Sequence, residues 1–158
     1  MTEVASNFLK DAGRSFIPLY TTIEIIKNCN LSCRHCYNFD RQGSNTKENH
    51  KILKREDAFN VIDQVCESGA LFVNITGGEA LIHPHIVDII QRITDNSSVP
   101  RLKTNGILLE NKVHQLKQAG LREVDISLYG ASEEVYQQFC GKSCLLYTSD
   151  AADDRVCV

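Results

Sequence analysis

Four short apolar runs, each followed by a stretch with helical spacing, set the strongest limit on how this chain can fold. Residues 21–26, 71–75, 99–103 and 123–128 are short, rich in β-branched side chains and bounded by polar or glycine-containing turns, as strands are. Between and after them the spacing changes to that of helices. Residues 56–68 place Phe59, Ile62, Val65 and Cys66 on one face, with Gly69 as a stop. Pro84 opens a second helix, in which Ile86, Ile89, Ile90 and Ile93 form an i, i+3, i+4, i+7 stripe. Leu109, Val113 and Leu116 form a third, ended by Gly120, and Ser132 is an N-cap for a fourth carrying Val135, Tyr136 and Phe139. Strands and helices alternating at this rhythm predict an α/β fold of parallel βαβ units with right-handed crossovers.

Chemistry-bearing residues gather where the strands end. Directly after the first run stands Cys29-Asn30-Leu31-Ser32-Cys33-Arg34-His35-Cys36. Three thiolates at this spacing can hold three irons of a four-iron cluster and leave the fourth open to a substrate or cofactor. A disulfide framework is disfavoured, because three closely spaced cysteines cannot all pair. Zinc needs a fourth ligand; His35 is poorly placed beside Cys36, whereas His50 could reach across the polar loop of residues 38–55, so zinc stays open. Cys66 reads as a small core residue on its helix. His83 and His85, either side of Pro84, read as surface residues flanking a helix start rather than as ligands.

Thr76-Gly77-Gly78-Glu79 follows the second run, and its glycines allow the backbone to come close to a ligand. Thr104-Asn105-Gly106 follows the third and is a turn signal, while Ser127 lies near the end of the fourth.

In that order, these stretches resemble the radical S-adenosylmethionine (SAM) superfamily. Cys29 to Tyr37 is similar to its C-x3-C-x2-C signature with an aromatic residue before the last cysteine, and Gly77-Gly78-Glu79 is similar to its motif for the amino group of SAM. The resemblance implies a partial (βα)6 barrel of which this chain carries the first four βα units. It implies a [4Fe-4S] cluster on Cys29, Cys33 and Cys36, with SAM chelating the open iron. An electron from the cluster would then split SAM into a 5′-deoxyadenosyl radical that removes hydrogen from a substrate carbon. Gly77, Gly78 and Glu79 would orient the methionyl end, Asn105 and Ser127 would contact the nucleoside, and His35 would pack near the cluster or adenine. An external donor such as a flavodoxin or ferredoxin is implied by the chemistry. Ser127-Leu-Tyr-Gly-Ala-Ser132 resembles SPASM-type members that modify peptides or proteins, so a peptide or small molecule is the expected substrate.

Composition excludes several other classes. The 42% hydrophobic and 23% charged content is that of an ordinary globular chain, and a net charge of −3 gives no basic excess for binding nucleic acid. No apolar run approaches the roughly 20 residues of a membrane span, and residues 1–10 do not read as a signal peptide. A reducing cytoplasm suits free thiolates.

Residues 144–158 stand apart. Residues 144–153 back-translate to TGT CTC TTA TAC ACA TCT GAC GCT GCC GAC, which resembles a transposon end used in sequencing adapters. The expected organisation is a lead-in with one short helix over residues 1–20, a truncated core over 21–143 and a non-native tail over 144–158. Three readings remain open: a fragment of a radical SAM enzyme, a zinc-binding interaction module, and a truncated gene product without function.

Overall fold

The computed structural model describes residues 2–37, 52–130 and 132–141. The polar loop with His50, and the expected boundary and tail at residues 143–158, lie outside the described residues.

Helix α1 (Glu3–Arg14) leads into β1 (Tyr20–Glu24), after which α2 (Arg55–Glu67), β2 (Phe72–Thr76), α3 (Ile86–Asp95), β3 (Val99–Thr104), α4 (Val113–Gln118), β4 (Glu123–Ile126) and α5 (Glu133–Cys140) follow, with a 3-10 turn at Ala80–Ile82. The four strands form one sheet in the order β1-β2-β3-β4, every pair parallel. This is the α/β arrangement that the alternation predicts, because parallel neighbours need a crossover and the helices supply it.

The two faces of the sheet differ sharply. Ile23, Val73, Ile75 and Leu102 share a buried core with Ala58 and Ile62 of α2, the α3 stripe and Leu116 of α4. All four α3 isoleucines are fully buried, each worth about 1.5–3 kcal/mol of apolar burial. Truncating Ile90 to alanine is expected to cost about 2–5 kcal/mol, read as a lowered midpoint in urea, because the neighbours cannot collapse into the cavity. Facing away from that core, Thr22, Asn74, Arg101 and Glu123 line up in register across the four strands. One row nearer the C-terminal ends, Glu24 stands beside Thr76 and Lys103 beside Asp125. Arg101 pairs with Glu123 at 2.6 Å.

Ion pairs clamp α2 to α3. Arg92 makes two parallel hydrogen bonds to Asp63, at 2.8 and 2.7 Å, and its guanidinium lies over the Phe59 ring with that of Arg55. The Arg92 guanidinium holds the Asp63 carboxyl below the usual range, helped by Asn96.

Several local expectations need correction. Pro84 precedes α3, which starts at Ile86 with His85 as its N-cap, and Leu109 precedes α4, which starts at Val113. The first strand ends at Glu24, not residue 26. Ile25 still donates to the Thr76 carbonyl, but its own carbonyl accepts from Leu53, and Ile26 bridges to Ile52. The fourth strand ends at Ile126, not residue 128; Ser127 N–H makes one last bond to the Thr104 carbonyl before the chain turns away. His83 is not on the surface: it is fully buried. Its Nδ1 accepts from the His85 N–H at 3.1 Å, so its Nε2 carries the proton donated to the Leu53 carbonyl at 2.8 Å.

Burial, the leading cause, pulls the His83 pKa down, and His85 adds to it, against the opposing Leu53 hydrogen bond. Below about pH 6.5, the ordinary imidazole value, the unfolded chain takes up a proton that the folded one resists. The fold is therefore expected to weaken as pH falls from about 6.5. A His83→Gln variant should be less stable at pH 7.5 and lose less on acidification to pH 5.5, as thermal denaturation at the two pH values would read.

Candidate functional site

The C-terminal ends of the four strands converge on the loop that carries the three cysteines. That loop leaves β1 through residues 26–28, and the glycine pair after β2 lies against this backbone. Gly78 N–H donates to the Ile26 carbonyl at 2.7 Å and Glu79 N–H to the Asn28 carbonyl at 2.8 Å. A Cβ on Gly78 would overlap the carbonyl oxygens of Asn28 and Lys27, and one on Gly77 would overlap that of Ile26. On the side where a side chain would stand, the room left by the glycines is filled by the chain's own backbone. A Gly78→Ala substitution is expected to cost about 1–3 kcal/mol through forced backbone displacement, with lowered thermal stability and weaker retention of metal.

Glu79 is the hub of the rim. Its carboxylate is buried, with Oε1 accepting from Leu81 N–H at 2.9 Å and from the Thr104 hydroxyl at 2.8 Å, and Oε2 accepting from Asn105 N–H at 2.8 Å. The Thr104 hydroxyl in turn accepts from Gly106 N–H at 3.0 Å, which closes the turn after β3. Asn105 is thereby held with its side-chain Nδ2 donating to Asn30 Oδ1 at 2.7 Å, 3.8 Å from Cys29 Sγ. Cys29 Sγ also accepts from Leu31 N–H at 3.4 Å. A continuous chain of hydrogen bonds thus runs from the β2 turn through the β3 turn to the first cysteine.

The later part of the loop rests on α5, the helix that Ser132 caps by accepting from Val135 N–H. Ser32 N–H donates to the Cys140 carbonyl at 3.2 Å and Arg34 N–H to the Phe139 carbonyl at 2.9 Å. His35 is exposed, yet its ring centroid lies 4.1 Å from that of Tyr129 and 5.8 Å from that of Phe139. Tyr37 donates to Glu24 Oε1 at 3.0 Å. Burial, followed by the adjoining Cys140 thiol and by Cys29 and Cys36, pushes the Cys33 thiol up to about 12. A thiol buried among thiols stays protonated until a cation is present to stabilise the thiolate, so loading this loop with metal releases protons.

The three cysteines, Asn105 and the glycine motif are brought to one rim, as the sequence reading expects. Ser127 adjoins the rim through its backbone bond to Thr104, and the His35 ring makes a tilted contact with Tyr129. Cys66 stays on α2, where it packs partly buried against the core beside Ser98 Oγ at 3.2 Å. The sequence reading misses Asn30 and Cys140. Cys140 lies one turn after Tyr136 on α5, and that spacing signals the shared burial of both but not what they cover.

The donor set suits an iron–sulfur cluster: three thiols on one loop, held at a strand's C-terminal end, while the intervening His35 ring packs against Tyr129 and Phe139. Among the described residues no three His, Cys, Asp or Glu side chains stand together closely enough to hold a metal ion. Among the described residues, Cys29, Cys33, Cys66 and Cys140 are not in disulfides.

The chain is similar to GTP 3′,8-cyclase of Limosilactobacillus fermentum, 33% identical over 121 residues, which is 75% of this chain and 36% of the relative. It is 35% identical over 120 residues to a probable GTP 3′,8-cyclase of Methanococcus vannielii, covering 75% and 39% of the two chains. It therefore spans well under half the length of these curated relatives. Among solved structures, Streptococcus suis SuiB bound to precursor peptide SuiA shares the fold, with a TM-score of 0.66 at 18% identity over 89% of this chain and 32% of that one. BtrN in complex with AdoMet and 2-DOIA does so with a TM-score of 0.59 at 21% identity, over 78% and 52%. The family model of the Radical SAM superfamily matches residues 23–147. The chain belongs to the radical SAM superfamily.

Proposed function

We propose that this chain is the SAM-cleaving part of a radical SAM enzyme, with Cys29, Cys33 and Cys36 as the ligands of a [4Fe-4S] cluster. The superfamily uses that cluster together with SAM. When bound, the pair supplies one-electron cleavage of the sulfonium to a 5′-deoxyadenosyl radical, which abstracts hydrogen from the substrate. The observation that carries the reading is the chain of hydrogen bonds from Glu79 through Asn105 to Asn30 beside Cys29. It fixes a loop whose three sulfurs would hold three irons of the cluster and would leave the fourth without a protein ligand.

The residues of the chain have distinct tasks in this reading. Gly77 and Gly78 let the second βα turn seat against the entry to the cysteine loop, which leaves their outward backbone groups to meet the methionyl end of SAM. Glu79 acts through the turns it ties and, at its edge, through that same end. Asn105 and Ser127 face the nucleoside, and the tilted His35–Tyr129 ring pair walls the rim where adenine would lie. Electrons come from an external flavodoxin or ferredoxin, and a reducing cytoplasm keeps the thiols free. Among the described residues no helix is long and apolar enough to cross a membrane.

For the substrate, we place a peptide or protein first, on the likeness of residues 127–132 to peptide-modifying members. The relatives' names favour a second reading, a nucleotide cyclised as in GTP 3′,8-cyclase. The polar rows of Thr22, Asn74, Arg101 and Glu123 below the rim support a hydrogen-bonding substrate in either case.

Anaerobic reconstitution with iron and sulfide tests the proposal. The expected result is a brown protein with about four irons per chain and, with dithionite, release of 5′-deoxyadenosine from SAM. A colourless protein holding one zinc, or a cluster that leaves SAM intact under reductant, overturns it. Release of the nucleoside that rises with a peptide but not with GTP supports the first substrate reading, and the converse supports the second.

A further inference from the structure

The loop with the three cysteines has a second support that comes from far along the chain. The last turn of α5 presents the carbonyls of Phe139 and Cys140, which have no partner within the helix, and the amides of Arg34 and Ser32 occupy them. Gly141 follows with a φ of 76° and ends the helix as a left-handed cap. The Cys140 side chain is fully buried in a small cluster with Leu31 and Tyr136, against which Cys29 and Cys33 pack. Cys33 packs against this cluster, which sets its sulfur beside the Cys140 thiol.

We propose that Cys140 is a positioning residue for the cluster: its S–H donates to the sulfur of Cys33, while its carbonyl and that of Phe139 hold the loop amides in place. The inference rests on the cluster reading for Cys33 and adds to it a residue outside the cysteine motif. A hydrogen bond to a ligand sulfur disperses negative charge, and the reduced cluster is the more negative state, so the bond raises the midpoint potential. A neutral thiol in an apolar pocket makes this donor without introducing a buried charge.

The test compares Cys140→Ser, which keeps a donor, with Cys140→Val, which fills the volume and has none, both in the reconstituted chain. The expected result is a midpoint potential shifted to more negative values in Cys140→Val and returned towards the parent in Cys140→Ser. Iron loss to a chelator should be several-fold faster in Cys140→Val. A purely structural role would lower the thermal midpoint of both variants and leave the potential unmoved, which overturns the proposal. In the metal-free parent, the Ser32 and Arg34 amides should exchange hydrogen slowly; free exchange of both also overturns it, whether or not either variant folds. Failure of the parent to take up iron defeats the cluster reading itself. Parent and Cys140→Val with equal iron content and equal potential defeat only the role of Cys140.

Discussion

Cys33→Ala is expected to abolish the cluster, reducing bound iron from about four per chain to a small remnant after desalting and SAM cleavage to background. Cys33 is the middle one of the three proposed ligands, half-buried against Leu31 and Tyr136 and carried between two loop amides anchored on α5. Removing it leaves Cys29 and Cys36 holding opposite ends of a loop with nothing between them to bind a third iron. Cys29→Ala and Cys36→Ala should match it. Cys66→Ala is the control, because that thiol sits on α2 beside Ser98 and away from the rim. Iron and sulfide analysis, with the visible absorption of the cluster, reads the difference. Full cluster retention in Cys33→Ala would remove the assignment.

The second large effect is expected at Glu79. Glu79→Gln preserves the shape but turns one acceptor oxygen into an N–H2 group. If the amide oxygen faces Leu81 N–H and the Thr104 hydroxyl, the new donor faces Asn105 N–H, and two buried donors oppose each other. The cost is about 1–3 kcal/mol for the unsatisfied group, or a fall of about 5–10 °C in Tm at the upper end for a chain of this size. Asn105 should then lose its fixed approach to Asn30 and Cys29, and the cluster should be lost to a chelator at least tenfold faster. A Thr104→Val variant, which removes one of the three donors, should show a smaller loss in the same direction. Unchanged stability and unchanged retention in Glu79→Gln would show that the carboxylate does not organise the rim.

The regular parts of this fold follow from spacing alone. The isoleucines of α3 recur at helical intervals and all four are buried, because a stripe that wide has no other place to go. The parallel sheet follows from alternation. The strand ends do not, since the departure of Ile25 and Ile26 from β2 depends on residues 52 and 53, which the local pattern does not reveal. His83 fails for the same reason: polar, next to a proline and near a helix start, it reads as exposed, yet the Leu53 carbonyl and the His85 amide satisfy both ring nitrogens in the interior. At the site, the three cysteines are legible because their spacing is itself a chemical statement. The places of Glu79 and Asn105 at one rim are legible, but the hydrogen bonds that tie Glu79 to Thr104 and Asn105 are not. Cys140 is invisible as a partner of Cys33, because nothing in an isolated helix says which loop its last turn will meet.

The carbonyls that steady Ser32 and Arg34 are supplied by Phe139 and Cys140, and these leave the ribosome long after the thiols do. A nascent chain carrying only the first βα units offers its sulfurs on an unsupported segment, open to stray metals and oxidants. With the cluster held as proposed, delivery of iron and sulfide is expected to become productive once α5 has emerged and closed on the loop.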